Sequence, residues 1–254
     1  MEITFLGTGT SQGVPIIGCT CETCVSQDPR DTRLRSSVLI SENYLNIVID
    51  IGPDFRQQML VNKVPHLDAI FLTHEHNDHI IGLDDIRPYN FKQNTNMPVF
   101  ALNRVLEDLK NKFSYMFENN PYPGLPRVEC HQLSYNEYFD FNGISVLALR
   151  VMHGKLPILG FRINNFAYIT DASYIGFDEM NLLKDLDVLV LNVLQFRPHY
   201  SHYNYDEMLI VASEINAKIT YLTHMSHELG RHDELIRKLP GNIIPAYDGL
   251  ILSI

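Results

Sequence analysis

The sequence lacks an apolar run close to the roughly 18 residues that a membrane-spanning helix needs. Its first residues, 1–5, lack the basic segment and apolar core of a secretory signal peptide. Basic residues are few, since 20 Lys and Arg stand against 30 Asp and Glu and leave a formal net charge of -10. This balance argues against broad electrostatic binding of nucleic acid or anionic lipid. We therefore expect a cytoplasmic protein with neither a membrane nor a nucleic acid as its partner.

The sequence also lacks a nucleotide-binding fingerprint, a linker, a repeat and a low-complexity segment. The glycines of residues 7–13 form neither a GxGxxG pattern nor a P-loop with its lysine. An apolar fraction of 45% supports a substantial core. Length alone does not decide between one large and two small domains. Because strand and helix patterns are mixed throughout, we predict one α/β domain over residues 1–254.

The spacing of apolar residues along the sequence predicts where strands and helices lie. Short apolar runs predict strands at 2–6, 37–40, 45–50, 67–72, 99–102, 129–133, 144–151, 160–163, 166–170, 188–191, 219–223 and 250–254. Helical patterns predict helices at 54–62, from about 79 with a disturbance at Pro88, and at 106–117, 178–184, 204–216 and 228–239. Asn204 and Glu207 are spaced for a reciprocal capping box. The breaker-rich segment 119–126 is either a lid or a simple connection.

One seven-residue stretch, 73–79, directly follows an apolar strand and carries the pattern HxHxDH. Its ligand-type residues are His74, His76, Asp78 and His79. Imidazole and carboxylate are ligands that suit Zn, Mn and Fe. A solvated polar turn gains nothing from four such side chains in six residues, so the stretch predicts a metal-binding loop.

Three later apolar strands also end beside a residue of ligand type. They are followed by His153, Asp171 and His224. Any one of these alone would more often be a surface or hydrogen-bonded residue. Together with HxHxDH they predict a shared site, because ligands at strand ends have a rigid scaffold and remain open to a cleft.

This order of residues, HxHxDH followed by His, Asp and His, resembles the metallo-β-lactamase superfamily. The resemblance extends from the opening strand to His224 and implies an αββα four-layer sandwich, in which two mixed β-sheets are flanked by helices and strand-end loops bind two metals. It implies one ion bound by His74, His76 and His153, a second ion bound by Asp78, His79 and His224, and Asp171 bridging both. A bridging carboxylate in place of a cysteine is similar to the hydrolase branches of the family.

The chemistry of such a site predicts hydrolysis. Two divalent ions outweigh the charge of the carboxylates Asp78 and Asp171, so the site is locally cationic within an acidic protein. Metal ions lower the pKa of bound water towards neutrality, and a metal-bridging hydroxide would then be the nucleophile near pH 7. The ions also stabilise charge on a phosphoryl or acyl oxygen. Asp78 is predicted to orient the water as well, whereas Glu75 and Asn77 are interpreted as spacers.

Segment 18–25 contains a CxCxxC pattern made by Cys19, Cys21 and Cys24. Three cysteines in six residues suit a metal better than two disulfides. Structural zinc normally has four Cys or His ligands, and the fourth here is either His227 or Cys130. A reactive or buried cysteine cluster is the alternative, and a redox pair is disfavoured.

CxCxxC together with HxxH near the C-terminus is similar to the PhnP-type phosphodiesterase subfamily, and PqqB-like proteins have a comparable loop. By this resemblance Cys19, Cys21, Cys24 and His227 bind one structural Zn, and small cyclic or nucleotide-like phosphodiesters are the substrate class. The two active-site ions would be Zn, Mn or Fe. A homodimer is also implied by the resemblance.

The segment Arg197–His202 contains two further histidines. In related phosphodiesterases a histidine here faces the scissile phosphate, and His202 matches it, although Tyr200 stands where proline is usual. A histidine near its unperturbed pKa can protonate a leaving alkoxide at neutral pH, so His202 is predicted to be the general acid or a phosphate contact. His199 is interpreted as structuring the loop. Three other histidines, His66, His131 and His232, are expected at the surface.

The sequence therefore predicts a dinuclear-metal phosphodiesterase, and three alternatives remain. An ester or lactone hydrolase would use the same site against a carbonyl. A tRNA 3′-processing nuclease shares the motifs, but it needs a basic surface or an RNA-binding arm that the sequence does not show. A non-hydrolytic PqqB-like accessory or binding protein is opposed by the complete ligand set.

Overall fold

The structure is a computed structural model and describes residues 1–118 and 124–254. It divides into two compact units, each assembled from separate stretches of the chain. Unit 1 consists of residues 1–6, 37–134 and 249–253, and unit 2 of residues 7–36, 135–248 and 254. The single-domain organisation stays a prediction.

The described residues form β1 (Glu2–Gly7), β2 (Ser37–Glu42), β3 (Leu45–Ile49), β4 (Ala69–Phe71), β5 (Met97–Leu102), β6 (Val128–Leu133), β7 (Glu137–Phe141), β8 (Ile144–His153), β9 (Leu156–Ile163), β10 (Phe166–Ile169), β11 (Val188–Asn192), β12 (Ile219–Thr223), β13 (Ile243–Pro245) and β14 (Ile251–Ser253). The helices are α1 (Phe55–Val61), α2 (Asn77–Ile80), α3 (Arg87–Gln93), α4 (Asn103–Lys112), α5 (Phe177–Asn181), α6 (Tyr205–Ile215) and α7 (His232–Lys238). None of these helices has the length and apolarity needed to cross a membrane.

Unit 1 contains a seven-stranded mixed sheet in the order β14-β1-β2-β3-β4-β5-β6. The strands from β3 to β6 are parallel, whereas β2–β3 and β1–β14 are antiparallel pairs. Ile49 at the end of β3 is in register with Phe71 at the end of β4. The residues that follow these two strands therefore start side by side at the carboxyl edge of the sheet, where ligand sites of parallel sheets usually form.

Unit 2 contains a second seven-stranded mixed sheet, in the order β13-β12-β11-β10-β9-β8-β7. The strands from β10 to β13 are parallel, and those from β7 to β10 are antiparallel. The interior strand β11 is buried along its whole length, as its continuous apolar sequence predicts for a parallel strand covered on both faces. The carboxyl ends of β10, β11 and β12 are neighbours, and the segments after β10 and β12 carry predicted ligands.

Most predicted elements are confirmed, including the capping box of α6, in which Asn204 and Glu207 bond reciprocally. Two edge strands, β7 and β13, were not predicted. The prediction of one helix disturbed at Pro88 was wrong. The chain passes from α2 into a 3-10 segment at Ile81–Ile86, and Pro88 lies in the first turn of a separate helix, α3. Proline suits this position because the first-turn N–H groups have no partner within the helix. Residues 119–123, most of the predicted lid or connection, lie outside the described residues.

Candidate metal centre

The loop after β4 brings the four HxHxDH residues together within unit 1. The Nε2 atom of His74 lies 3.0 Å from Nδ1 of His76. The Nε2 atom of His79 lies 3.2 Å from Oδ2 of Asp78, and the His74 and His79 rings are 4.2 Å apart. Such close approach of ring nitrogens and a carboxylate oxygen is the donor arrangement that a divalent ion requires.

A fifth residue, Asp50, orders this loop, and sequence reasoning missed it. Its fully buried carboxylate accepts hydrogen bonds from the Thr73 backbone N–H at 2.8 Å, from Thr73 Oγ1 at 2.8 Å and from His79 Nδ1 at 2.7 Å. Burial raises the pKa of the Asp50 carboxyl above its usual value, and His79 opposes that rise. The available signal was that β3, like the strands that lead to the predicted ligands, is followed directly by a residue of ligand type.

The hydrogen bonds made by Asp50 also fix which nitrogen each histidine presents. Since Thr73 Oγ1 donates its only hydrogen to Asp50, it accepts from His74 Nδ1, which lies 3.0 Å away. His79 donates from Nδ1 directly to Asp50. Both rings therefore present Nε2 as the ligand nitrogen, in the way that a carboxylate orients metal-binding histidines.

Glu75 is more than the spacer expected from the sequence. Its two carboxylate oxygens accept from Nε and Nη2 of Arg104 at 3.0 and 3.1 Å, and its backbone carbonyl accepts from Lys112 Nζ at 2.7 Å. Both partners lie on α4. The ion pair with Arg104 lowers the pKa of Glu75 although burial raises it. The side chain between the two HxH histidines thus anchors the loop to α4.

Unit 2 brings together four of the remaining predicted residues, which are His153, Asp171, His202 and His224. The Oδ1 atom of Asp171 lies 3.2 Å from His224 Nε2 and 3.8 Å from His202 Nδ1. The other carboxylate oxygen, Oδ2, accepts from Thr170 Oγ1 at 2.6 Å. The His153 and His202 rings are 4.7 Å apart. Asp171 thus lies centrally in this group, as expected of a carboxylate that contacts more than one ion.

Backbone carbonyls fix the orientation of His153. Its Nδ1 atom donates to the carbonyls of Asp171 and Ser201, both at 2.8 Å. The opposite nitrogen, Nε2, is then the one with a lone pair for a metal. The same bonds connect the end of β8 to the loop after β10 and to the loop that carries His202.

Three strand-end residues have left-handed backbone conformations, with φ of 64° at Asp50, 57° at Asp171 and 56° at His224. This region is uncommon for residues other than glycine, although Asp, Asn and His tolerate it best. Strained residues cluster at functional sites because the surrounding structure holds them there. In both units the chain therefore turns sharply where it presents a functional side chain.

His202 lies beside Asp171 and its role stays a prediction, but its protonation differs from the expectation. It is buried, with 9% of its surface exposed, and burial lowers the pKa of the imidazole to about 3 despite the neighbouring Asp171 carboxylate. The ring is therefore neutral at pH 7 and not near its unperturbed pKa. A neutral imidazole retains one N–H for donation to a phosphoryl oxygen.

The predicted zinc loop is brought together in unit 2. The His227 Nδ1 atom lies 3.4 Å from the Cys19 sulfur, 3.3 Å from that of Cys21 and 3.4 Å from that of Cys24. Zn–S and Zn–N bonds in a tetrahedral site place sulfur and nitrogen about 3.6 Å apart, close to these values. Of the two candidates for the fourth ligand, His227 is the one whose nitrogen lies beside the three sulfurs, and the zinc ion itself stays a prediction.

The thiols of this cluster differ in acidity. The Cys24 backbone N–H lowers the pKa of the Cys21 thiol to about 6, whereas burial raises the pKa of Cys24 to about 11. Zinc binds cysteine as the thiolate, so a thiol must lose its proton when the ion binds. At neutral pH Cys21 has already lost that proton, whereas Cys24 still carries it. The donor set of three sulfurs and one imidazole fits a structural zinc ion.

One histidine expected at the surface is buried. His232 is 3% exposed; its backbone N–H donates to Asp31 Oδ1 at 2.7 Å, and its Nδ1 lies 3.4 Å from Nη2 of the buried Arg33. Burial and the guanidinium lower the pKa of this imidazole to about 4. The burial of His232 could not be predicted from the sequence because its partners lie about 200 positions away along the chain.

The sequence matches a known protein family and is similar to several known proteins. The family described as "Beta-lactamase superfamily domain" matches residues 45–225. An octanoyltransferase of Porphyromonas gingivalis is 39% identical over 252 residues, covering 98% of this chain and 51% of that protein. A ribonuclease Z of Staphylococcus epidermidis is 28% identical over 171 residues, covering 64% of this chain and 49% of that protein. The chain spans about half the length of these curated relatives.

A solved structure described as a new diphosphatase from the PhnP family is more informative. It is 40% identical, covers 100% of this chain and 97% of its own, and superimposes with a TM-score of 0.93. This similarity and the two mixed sheets confirm the predicted fold class and the resemblance to the PhnP subfamily.

Proposed function

The chain belongs to the metallo-β-lactamase superfamily, and we propose that it is a metal-dependent hydrolase of small phosphodiesters or diphosphates. The substrate would be nucleotide-like or cyclic, with a phosphorus atom that carries two ester or anhydride links. The proposal draws on the ligand order in the sequence, on the 40% identical PhnP-family diphosphatase and on the donor groups of the two units.

The proposed ligands follow the family order. His74, His76 and His153 would hold one divalent ion, Asp78, His79 and His224 the other, and Asp171 both; Cys19, Cys21, Cys24 and His227 would hold a structural zinc ion. Imidazole and carboxylate donors fit Zn, Mn or Fe alike. When bound, the two ions supply water activation and electrophilic stabilisation of a phosphoryl oxygen.

The side chains have distinct tasks in this proposal. Asp50 and Thr73 hold His74 and His79 so that Nε2 faces the ligand position. The carbonyls of Asp171 and Ser201 do the same for His153. His202, neutral and buried beside Asp171, would donate a hydrogen bond to the phosphoryl group. During hydrolysis water forms a bond to phosphorus, the bond to the leaving oxygen breaks, and a proton from water reaches that oxygen where it is an alkoxide.

One observation supports this proposal most strongly: hydrogen bonds within each unit fix the nitrogen that His74, His79 and His153 present. Buried histidines without a metal need no such common orientation, whereas metal-binding histidines almost always donate their second nitrogen to a carboxylate or carbonyl. The diphosphatase relative then favours phosphorus over carbon as the reacting centre.

The test is a substrate panel with the metal-loaded protein. It contains bis-p-nitrophenyl phosphate, a 2′,3′-cyclic nucleotide, a nucleoside diphosphate, a simple lactone and p-nitrophenyl octanoate. We expect turnover of at least one phosphorus substrate, and its loss in Asp171→Asn. Turnover of the carbonyl substrates alone would overturn the phosphohydrolase proposal, and no turnover at full metal loading would favour a binding protein.

A second candidate is a hydrolase of carboxylic esters or thioesters with the same metal centre. One relative favours it, the P. gingivalis protein that is named for octanoyl transfer. About half of that protein aligns with almost the whole of this chain. The octanoyl ester and the three phosphorus substrates of the panel separate this candidate from the first.

A further inference from the structure

A series of aromatic rings runs from a proposed metal ligand to the protein surface. His224 and His202 stack with centroids 4.9 Å apart and planes at 18°. His202 and His199 follow at 5.1 Å, and His199 and Tyr200 at 4.9 Å, with planes tilted by 38° and 35°. Exposure rises along the series from 1% at His224 to 85% at Tyr200. The outermost ring therefore projects from a buried site into solvent.

The outer rings are held in place by polar contacts. The Nδ1 atom of His199 lies 3.4 Å from the Ser201 backbone N–H and 3.3 Å from Ser201 Oγ, which orients its ring. The Ser201 carbonyl accepts from the metal-ligand candidate His153. Ser201 thus connects the loop that carries His199 and Tyr200 to the site, because it contacts His199 on one side and accepts from His153 on the other.

Tyr200 lies close to Gly154, at the end of β8. A Cβ atom at Gly154 would lie at ordinary van der Waals distance, 3.5 Å from Cδ2 of Tyr200 and 3.4 Å from Cβ of Ser201, so the φ of +60° and not a lack of space favours glycine there. The glycine directly follows His153. One edge of the tyrosine ring therefore packs on the backbone beside a proposed ligand, while most of the ring is exposed.

A tyrosine that is 85% exposed contributes little to a core. Its ring and that of His199, whose centroid lies 5.1 Å from that of His202, instead offer planar surfaces at the outer end of the series. Planar aromatic rings stack well on Tyr and His, and this interaction tolerates differences in base identity because every base has a π-face.

We infer that Tyr200 and His199 form a stacking subsite for a planar ring of the substrate, such as a nucleobase, beside the phosphorus that reacts. This inference rests on the proposed function, and it narrows the substrate class to phosphoryl compounds with an aromatic group.

The test is binding of AMP and of ribose 5-phosphate to the metal-loaded protein, measured by calorimetry. These probes share the phosphate and the ribose, so only the base differs. We expect AMP to bind roughly five- to tenfold more tightly, as one exposed stacking contact allows. Tyr200→Leu is expected to reduce this ratio to about one, and Tyr200→Phe to retain it. Tyr138→Leu, which changes an exposed tyrosine on β7, is the matched control and should also retain it.

An equal affinity of the unmodified protein for both probes, or a ratio that survives in Tyr200→Leu, would overturn the subsite. Failure of the proposed function looks different, because it is an absence of phosphoryl turnover in the substrate panel. The binding ratio decides the subsite in either case, since it requires no catalysis. Where turnover is present, kcat/KM for ADP relative to methyl diphosphate is expected to fall by the same factor in Tyr200→Leu.

Discussion

The Nδ1 atom of His79 lies 2.7 Å from Oδ2 of Asp50, and both residues are fully buried. The same carboxylate accepts from the Thr73 hydroxyl, which in turn accepts from Nδ1 of His74. One acid that is not itself a ligand candidate thus orients two histidines that are. Metal affinity is therefore expected to depend on Asp50 as well as on the ligand residues themselves.

Replacement of this acid gives the first prediction. Asp50→Asn is expected to weaken binding of Zn or Mn at the active site roughly 10- to 100-fold, because His79 loses its carboxylate acceptor and the Thr73 hydroxyl, which accepts from His74, loses its own carboxylate partner. Competition with a chromophoric chelator measures the affinity. Asp85→Asn changes an exposed acid on the segment before α3 and should leave it unchanged. Thr73→Val, which interrupts only the connection to His74, should produce a smaller loss.

An unchanged affinity in folded Asp50→Asn would contradict this account. Folding is checked independently by circular dichroism. If Asp50→Asn does not fold, Thr73→Val carries the test, and an unchanged affinity in that variant has the same meaning.

The second prediction concerns the anchor of the HxH loop. Glu75→Ala removes the carboxylate that accepts two hydrogen bonds from Arg104, and it should lower active-site metal affinity by up to about fivefold. The effect is small because both side chains are partly exposed and the ion pair is screened by solvent. Glu107→Ala breaks a comparable but more exposed pair with Lys110 and should have no effect on metal binding. Equal behaviour of the two variants would show that Glu75 is only a spacer.

The sequence predicted most elements because strands such as β11 and β12 are continuous apolar runs of the expected length. It missed β7, where only one face is covered and Tyr138 points to solvent, so that the run is not apolar. It missed β13, which has three residues and ends in proline at a sheet edge. Pro88 was misinterpreted because proline both ends helices and begins them, and the sequence alone does not choose.

The predicted ligand residues were accessible to sequence reasoning because the histidines and acids cluster at or soon after the ends of apolar strands and the cysteines are closely spaced. Their supporting residues were not: Asp50 is 29 positions from His79, and Arg104 is 29 positions from Glu75. The unusual acidity of His202 was also out of reach, because it arises from burial, which the residue type does not indicate. Residue chemistry is thus predictable from spacing, whereas the environment that tunes it depends on tertiary contacts.

A third prediction addresses the cysteine cluster. Cys19→Ser is expected to lower the melting temperature by roughly 10 °C, because loss of a structural zinc ion removes several kcal/mol of folding free energy. Cys130→Ser changes the cysteine outside the cluster and should leave the melting temperature nearly unchanged. Differential scanning calorimetry of both variants, with and without a zinc chelator, measures the effect. Identical melting of the two variants would argue for a cysteine cluster without structural metal.

The fourth prediction is a pH dependence of stability at His232. Its pKa is lowered to about 4 in the folded protein and is about 6.5 in an unfolded chain, so only the unfolded chain takes up the proton between these values. The folded state therefore loses stability as the pH falls from 6.5 to 4, by roughly 3 kcal/mol from this residue. His232→Asn removes this dependence, and urea unfolding at several pH values measures it against the unmodified protein. His131→Asn is the control, and a pH profile that His232→Asn does not alter would contradict the prediction.

The central claim is that hydrolysis of a phosphorus substrate requires metal held by the predicted ligands. The most direct measurement determines bound metal and bis-p-nitrophenyl phosphate hydrolysis on the same samples, after chelation and stepwise return of Zn or Mn. We predict two active-site ions and one structural ion in the unmodified protein, with activity that rises as the active-site ions return. Asp171→Asn should lose active-site metal and activity while it retains the structural ion. Full activity in the chelated protein, or in Asp171→Asn, would contradict the account.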